Sequence, residues 1–247
     1  MDGYAPVMAD RPDASLAAVL GSLEQQRVDR RVVLSTSADR AARALREQVV
    51  EGLLRSGTRL PEERLAQAIG VSRNTLREAL SQLVSERILV REPHRGVVVT
   101  TPVVADVVDV YAARRLIEPA AVLHGRAHDA EHLATVHAAV VEGLDADRRG
   151  RWDEVASANQ HFHRAVVALA GSGRLSHQMD LLLAEMRLFF HQMDRPDEFH
   201  RPYLDENAVI DDLLAGGRRA EAAERLATYL GTAEEQLVRA IGAPAVA

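Results

Sequence analysis

The side chains best placed to do chemistry in this chain are arginines. Arg73, Asn74 and Arg77 fall at the start of an amphipathic segment, 73–85, opposite a stripe of Leu76, Leu80, Leu83 and Val84. A helix that offers arginines from its first turns can enter the major groove of duplex DNA, where a guanidinium is the best reader of guanine. Further on, Arg95-Gly96 sits between two β-rich runs. There the arginine puts a cation at a hairpin tip, and the glycine lets the backbone turn tightly or approach DNA closely. Covalent chemistry has little to work with. There is no Cys, and the 30 basic residues are all Arg. Disulfides, thiolate nucleophiles, thiolate metal sites, Schiff bases and a Walker-type phosphate loop are therefore excluded. No HExxH, GxSxG or Gly-rich phosphate loop occurs either, so an α-helical hydrolase fused to a DNA-binding module is the weaker alternative. The expectation is a binding protein, not an enzyme.

The elements that must position these arginines can be read from periodicity. Residues 38–55 carry Ala41, Leu45, Val49 and Leu53 at helical spacing, with Gly57 as a stop signal. A brief helix follows over 62–69, Gly70 turns the chain, and Ser72 caps a third helix over 73–85. ILVRE (88–92) and VVVTT (97–101) flank Pro93-His94-Arg95-Gly96, the pattern of a hairpin with a turn of about four residues. Two short helices hinged at a glycine and followed by a hairpin make a winged helix-turn-helix. Upstream, 1–14 reads as a mobile tail, and Leu16, Val19, Leu20 and Leu23 mark a short amphipathic helix capped by Ser15. From 103 onward the pattern is helical, at about 103–128, 130–149, 152–171, 173–194, 202–216 and 218–241. Pro119 should kink or restart the first of these.

Charge divides the chain in the same way. Residues 35–101 hold 11 Arg and 8 acids, net +3, whereas 102–247 hold 15 Arg and 23 acids, net −8. A basic module joined to an acidic one suits a head that meets phosphate and a body that does something else. Aromatics are only 4% of the 247 residues, which favours a helical core built on Leu, Val, Ile and Ala. The expected class is mainly α, in three parts. These are an N-terminal extension (1–34), a winged helix-turn-helix (35–101) and an all-α antiparallel bundle (102–247). With no apolar leader and no span of the ~18 residues a membrane crossing needs, the chain is expected to be cytoplasmic, with no membrane partner.

The stretch 54–99 resembles the winged-helix domain of GntR-family bacterial transcription regulators. The match is carried by G-T-R-L at 57–60, E-x-R-L-A at 62–66, G-V-S-R-x-T-L-R-E-A-L at 70–80 and R-G-V at 95–97. The resemblance implies that Arg73, Thr75 and Arg77 touch operator DNA, with Ser72 and Asn74 beside them. It also places Arg64 near the backbone and Arg95-Gly96 on the wing. Asn74-Thr75 resembles the FadR-like variant of this step.

The second half resembles the FCD effector domain of the FadR subfamily, an all-α bundle that usually forms a homodimer and binds small organic acids. The likeness rests on Arg114-x-x-x-Glu118, Asn159-x-x-Phe162-His163 and a final helix pair carrying Asn207 and Tyr229. Many members of the subfamily hold a divalent metal on an Asp, a His one turn away, and a His from each of two later helices. The matching positions here are Asn159, His163, Asn207 and Tyr229, and two amides and a phenol make a poor divalent set. The expectation is therefore no metal and no cofactor, with a metal-dependent regulator kept as the alternative. Arg114 resembles the pocket arginine that takes a carboxylate, and Arg187 is a weaker candidate of the same kind. Asn159 and His163 could instead be satisfied polar residues at a helix interface. The Val107, Val108 and Tyr111 stripe reads as core or dimer contact, and His161 and His163, two apart, must face different ways. The functional expectation is a ligand-responsive, homodimeric repressor.

Overall fold

In the computed structural model of the chain, residues 13–26, 36–193 and 196–242 are described. Most of the expected tail, residues 1–12, lies outside them. Asp13 and Ala14 instead open helix α1 (Asp13–Gln26), so Ser15 is inside that helix and not its cap. Leu16, Val19 and Leu23 of α1 are buried, the last two in the core of the head. Gln48 of the next helix donates to Ser22 (3.3 Å).

Helix α2 (Ser37–Val50) starts with a reciprocal cap between Thr36 and Asp39, whose two hydrogen bonds are 3.0 and 3.1 Å. It ends five residues earlier than the periodicity suggested. Gly52 adopts a left-handed φ of 75°, and the amides of Leu53 and Leu54 both close on the Gln48 carbonyl at 2.9 Å. The stop is thus Gly52, and Gly57 lies in the following loop. Helix α3 (Glu62–Ile69) ends at Gly70, left-handed at φ 77°. Helix α4 (Arg73–Ser85) begins at Ser72, whose hydroxyl accepts from the Thr75 amide (3.1 Å).

Strands β1 (Leu89–Glu92) and β2 (Gly96–Val99) pair antiparallel, with Leu89 opposite Val99 and Glu92 opposite Gly96. The connecting turn is therefore three residues, and Gly96 belongs to the ladder rather than to the tip. Arg59 bridges Val98 along the far edge, so a third short segment that the sequence did not signal widens the wing. The core of this head is aliphatic, centred on Leu45, Leu65, Leu76, Leu80, Leu83 and Ile88. Arg46, nearly buried, ties α2 to the end of α4 through Glu86 (2.6 Å).

Six helices follow: α5 (Val104–His124), α6 (Ala130–Arg148), α7 (Trp152–Ala168), α8 (Gly173–Phe190), α9 (Pro196–Ala215) and α10 (Arg219–Gly242). Helix α5 runs unbroken through Pro119; a proline costs the helix one hydrogen bond, and its packing along α10 and α7 supports it on both sides. Helix α9 likewise starts upstream of Pro202, at Pro196. The bundle core gathers Val107, Tyr111, Phe162, Val166, Leu183, Phe189, Ile210 and Leu230. Val107 and Tyr111 are core, while Val108 is 44% exposed. No helix among the described residues is long and apolar enough to cross a membrane.

Head and bundle meet where α8 faces α2, and Ala184 and Leu188 of α8 enter the head core. Polar tethers flank this plug. His161 of α7 reaches Glu142 with one ring nitrogen (2.9 Å) and Glu51 at the end of α2 with the other (3.3 Å). As the sequence required, it faces away from His163. The hydrogen bond to Glu51 is the strongest influence raising the His161 pKa, and it lowers that of Glu51 in turn. The His161 contribution to stability is then complete below the unfolded histidine value of about 6.5 and is lost as pH rises through the higher folded value. Thermal melts of wild type and His161→Gln should differ most below that pH and converge above it. A gap that stays constant with pH would show that the charge of His161 holds nothing at this seam.

Candidate nucleic-acid interface and ligand site

The exposed face of α4 is built from its first turns. Ser72 caps the helix and also shares a hydroxyl hydrogen bond with Thr75 (2.8 Å), which fixes the backbone from which Arg73, Asn74 and Arg77 project. All three are exposed, as is Arg64 on α3. Arg73 pairs with Glu63, and Arg77 with Glu62 (2.9 Å). The sequence reading missed these two glutamates. Their adjacency was visible, but their pairing partners lie across the turn and could not be read from spacing along one helix. On the wing, Arg95 is exposed and pairs with Glu92 (2.6 Å), and Arg91 donates to Ser81 of α4 (3.0 Å). Exposed pairs of this kind are worth about 0–1 kcal/mol, so phosphate or a base edge can displace the carboxylates at little cost. The glutamates hold the arginines extended over the surface until then.

Inside the bundle the structure brings together Arg114, Asn159, His163, Asn207 and Tyr229, with Glu118 at their centre. Arg114 and Glu118 stand one turn apart on α5, joined from Nε to Oε1 at 2.5 Å, and both are essentially unexposed. The guanidinium also lies 4.7 Å from the centre of the Tyr111 ring and donates to the Met186 sulfur. The second oxygen of Glu118 meets His163 Nδ1 (2.7 Å), and His163 Nε2 meets the Tyr229 hydroxyl (2.9 Å). That hydroxyl is in turn 3.0 Å from Asn159 Oδ1, which accepts from Asn207 Nδ2 (2.9 Å).

Burial on its own would raise the Glu118 carboxyl, but Arg114 and His163 outweigh it and hold it below the ordinary carboxylate range. Burial lowers the His163 pKa more than Glu118 raises it, and burial raises that of Tyr229. His163 is therefore neutral, donating from Nδ1 and accepting at Nε2. Two atoms of the group have no partner: Arg114 Nη2 and Asn207 Oδ1. They offer one donor and one acceptor to a bound polar molecule. Arg187 is not part of this group. It is buried at the seam, where it donates to the Asp153 carbonyl (3.2 Å) and lies against Gly52.

A divalent metal does not fit the four positions. Both His163 nitrogens are engaged, Asn159 Oδ1 already accepts from Asn207 Nδ2, and two amides with a high-pKa phenol supply no anionic donor. Among the described residues, no group of three or more His, Asp or Glu is arranged to hold a metal ion.

A winged helix-turn-helix head on an all-α bundle with a buried polar centre is the two-part architecture of many bacterial transcription regulators. Residues 37–99 match the model of the bacterial regulatory proteins of the gntR family, and residues 109–232 match the FCD domain. A crystal structure of a GntR transcriptional regulator from Rhodococcus sp. RHA1 is 36% identical, covering 83% of this chain and 99% of that one with a TM-score of 0.75. The chain belongs to the GntR family and carries an FCD domain. The HTH-type transcriptional regulator BphR of Paraburkholderia xenovorans is 33% identical over 59% of this chain and 62% of its own length. The chain thus spans about three fifths of that curated relative. The gluconate operon transcriptional repressor of Bacillus subtilis is 40% identical over 32% of each chain. Escherichia coli McbR/YncC shares the fold, with a TM-score of 0.72 at 21% identity, 83% coverage of this chain and 99% of its own.

The Glu118 arrangement makes a sharp demand on the bundle. Glu118→Gln removes the counter-charge of a buried guanidinium, and breaking a buried pair on one side typically costs about 3–5 kcal/mol. Urea denaturation should show a loss of that size. A loss under about 1 kcal/mol would mean that Arg114 finds solvent or another anion, and that Glu118 does not organise the site.

Proposed function

We propose that this protein is a dimeric, ligand-responsive repressor. Two winged heads read the half-sites of a pseudo-palindromic operator, and a small organic acid bound in the bundle changes their affinity for it. The observation that carries the DNA half of this reading is the exposed Arg73 and Arg77 pair at the N-terminal turns of a capped helix, with an arginine-tipped wing beside it. Arg64, Ser72, Asn74, Thr75 and Gly96 complete the contact surface. The repressor role is supported by the likeness to the gluconate operon transcriptional repressor over 32% of the chain. The effector half is supported by the two unpartnered atoms in the bundle centre. Arg114 Nη2 suits a carboxylate oxygen and Asn207 Oδ1 suits a hydroxyl, while Asn159, His163 and Tyr229 supply neutral walls. Only a ligand with different affinity for two arrangements of the heads shifts DNA binding, and typical couplings of ~1–3 kcal/mol change it about 5–150-fold.

The dimer reading rests on α5. Val108, Leu116 and Leu123 are 44%, 79% and 41% exposed, and their spacings of eight and seven residues put them on one side of the helix. An apolar stripe of this kind on an otherwise acidic body suits a second copy of the chain meeting it face to face.

On a duplex selected from random sequence by the wild-type protein, Arg73→Ala and Arg77→Ala should each lose about 1–3 kcal/mol of specific binding, near 5–150-fold, with unchanged melting temperature. Unchanged affinity for both variants would overturn the DNA reading. In sedimentation, Leu116→Asp should shift the protein from dimer toward monomer. A variant that still sediments as the wild type does would place the dimer contact elsewhere.

A further inference from the structure

A second polar cluster, unused by the reading above, lies at the seam between head and bundle. Arg187 in the last turn of α8 and His191, the residue that caps its C-terminus with helical dihedrals, are four residues apart and share a face. Arg187 is 1% exposed. It gives one hydrogen bond, from Nη2 to the Asp153 carbonyl, while its Nε and Nη1 are buried without an acceptor. Both ring nitrogens of His191 and both of His200 are also buried and unpartnered, as are both ends of the Gln160 amide. His200, 1% exposed, is set edge-on to Phe190 (4.6 Å). The carboxylates nearest in charge are taken: Glu51 by His161 (3.3 Å) and Asp153 by Arg55 (3.7 Å). Burial, with Arg187 nearby, pushes both His191 and His200 down to about 3, so each is a neutral imidazole with one N–H to donate.

A buried guanidinium lacking a counter-charge, among imidazoles lacking partners, is an arrangement that proteins avoid unless something fills it. The Arg114 guanidinium differs, because Glu118 neutralises it within the fold. We propose that Arg187, His191 and His200 form an oxyanion site, separate from the Arg114 centre, which takes the carboxylate or phosphate group of a small solute. A metal is the wrong occupant, since the guanidinium would repel it. An anion meets one fixed positive charge and N–H donors from two further side chains. The site also touches the head. A Cβ built on Gly52 would lie 2.9 Å from Arg187 Nε, so the end of α2 rests directly on the guanidinium, and an anion that fixes Arg187 also fixes that contact.

The test is a series of thermal melts of the full chain with inorganic phosphate, acetate or citrate, each against chloride at matched ionic strength. Wild type should gain a saturable rise in melting temperature with at least one oxyanion, as mass action on the folded state requires. Arg187→Met should lose that rise and, in chloride, melt no lower than wild type. A double variant, His191→Leu with His200→Phe, keeps the cation and should weaken apparent affinity about tenfold or more; it reports on the site even if Arg187→Met fails to fold. Asn207→Leu, in the bundle centre, should keep the part of the rise that Arg187→Met loses, since an acid taken up at the centre contributes separately. A wild type with no saturable rise, or an Arg187→Met variant with an unchanged one, overturns the proposal. Loss in Asn207→Leu with retention in Arg187→Met would assign the anion to the central group instead. Operator binding in chloride is measured on the same samples, so failure of this site does not count against the DNA reading, nor failure of DNA binding against the site.

Discussion

Glu118 is a carboxylate with no exposure to water, and a charge in that position cannot stand unless its neighbours are arranged around it. Arg114 supplies the counter-charge from the same helix and His163 a hydrogen bond from α7. From there the chain of polar contacts passes to Tyr229 on α10, back to Asn159 on α7 and on to Asn207 on α9, while the Arg114 guanidinium touches Met186 on α8. Five helices are thereby held in one register by the solvation needs of a single group. Such a network adds little net stability relative to an apolar core of the same shape, but every misalignment leaves one of its members unpaired. Where an Asp and three His would need a cation to neutralise them, Asn159, His163, Asn207 and Tyr229 need none. The single charge pair, Arg114 with Glu118, is already balanced within the fold.

The head works by the opposite logic. Its functional charges are at the surface, where pairing is weak and exchangeable. Glu62 and Glu63 hold Arg77 and Arg73 across the turn between α3 and α4, so the arginines are already extended, and in the proposed encounter with DNA they give up only a weak contact. The acidic balance of 102–247 fits the same proposal: DNA phosphate would be repelled by the bundle and attracted by the head, which would orient the encounter.

Much of this was legible in the sequence, and what was missed has physical causes. Helices α3 and α4 were readable to the residue because Gly70 and Ser72 punctuate them with strong local signals. The end of α2 was misplaced because two glycines, Gly52 and Gly57, could each stop a helix, and the deciding hydrogen bonds to Gln48 come from residues beyond the stop. Pro119 and Pro202 look like breaks, yet each lies inside a helix that tertiary packing carries past the missing donor. The members of the polar centre were found by resemblance, but their closure on Glu118 depends on which helices pack together. Asn159 and His163 each have hydrogen-bond partners within the fold. What remains open to a ligand is Arg114 Nη2 and Asn207 Oδ1. Gln160 and His200 gave no sequence signal at all, because an unpartnered buried group is a property of packing.

How a ligand in the bundle could reach the head is constrained by what joins the two. The apolar part of the seam is Ala184 and Leu188 of α8 inserted into the head core, and α7 adds His161 on Glu51. On the far side lies a cleft of about 270 Å³ between α4, α5 and α8, crossed by Arg87 to Asp109 (3.2 Å). It is lined also by Glu185, whose carboxyl burial raises to about 7. A ligand that leaves α7 and α8 unmoved therefore has little to act on, however tightly it binds. One that shifts either helix, through His163 and Asn159 on α7 or through Met186 and Arg187 on α8, moves groups that already touch the end of α2. The transmitted motion need be no more than the slack in those contacts, because packed apolar side chains such as Leu188 switch between discrete arrangements rather than stretching.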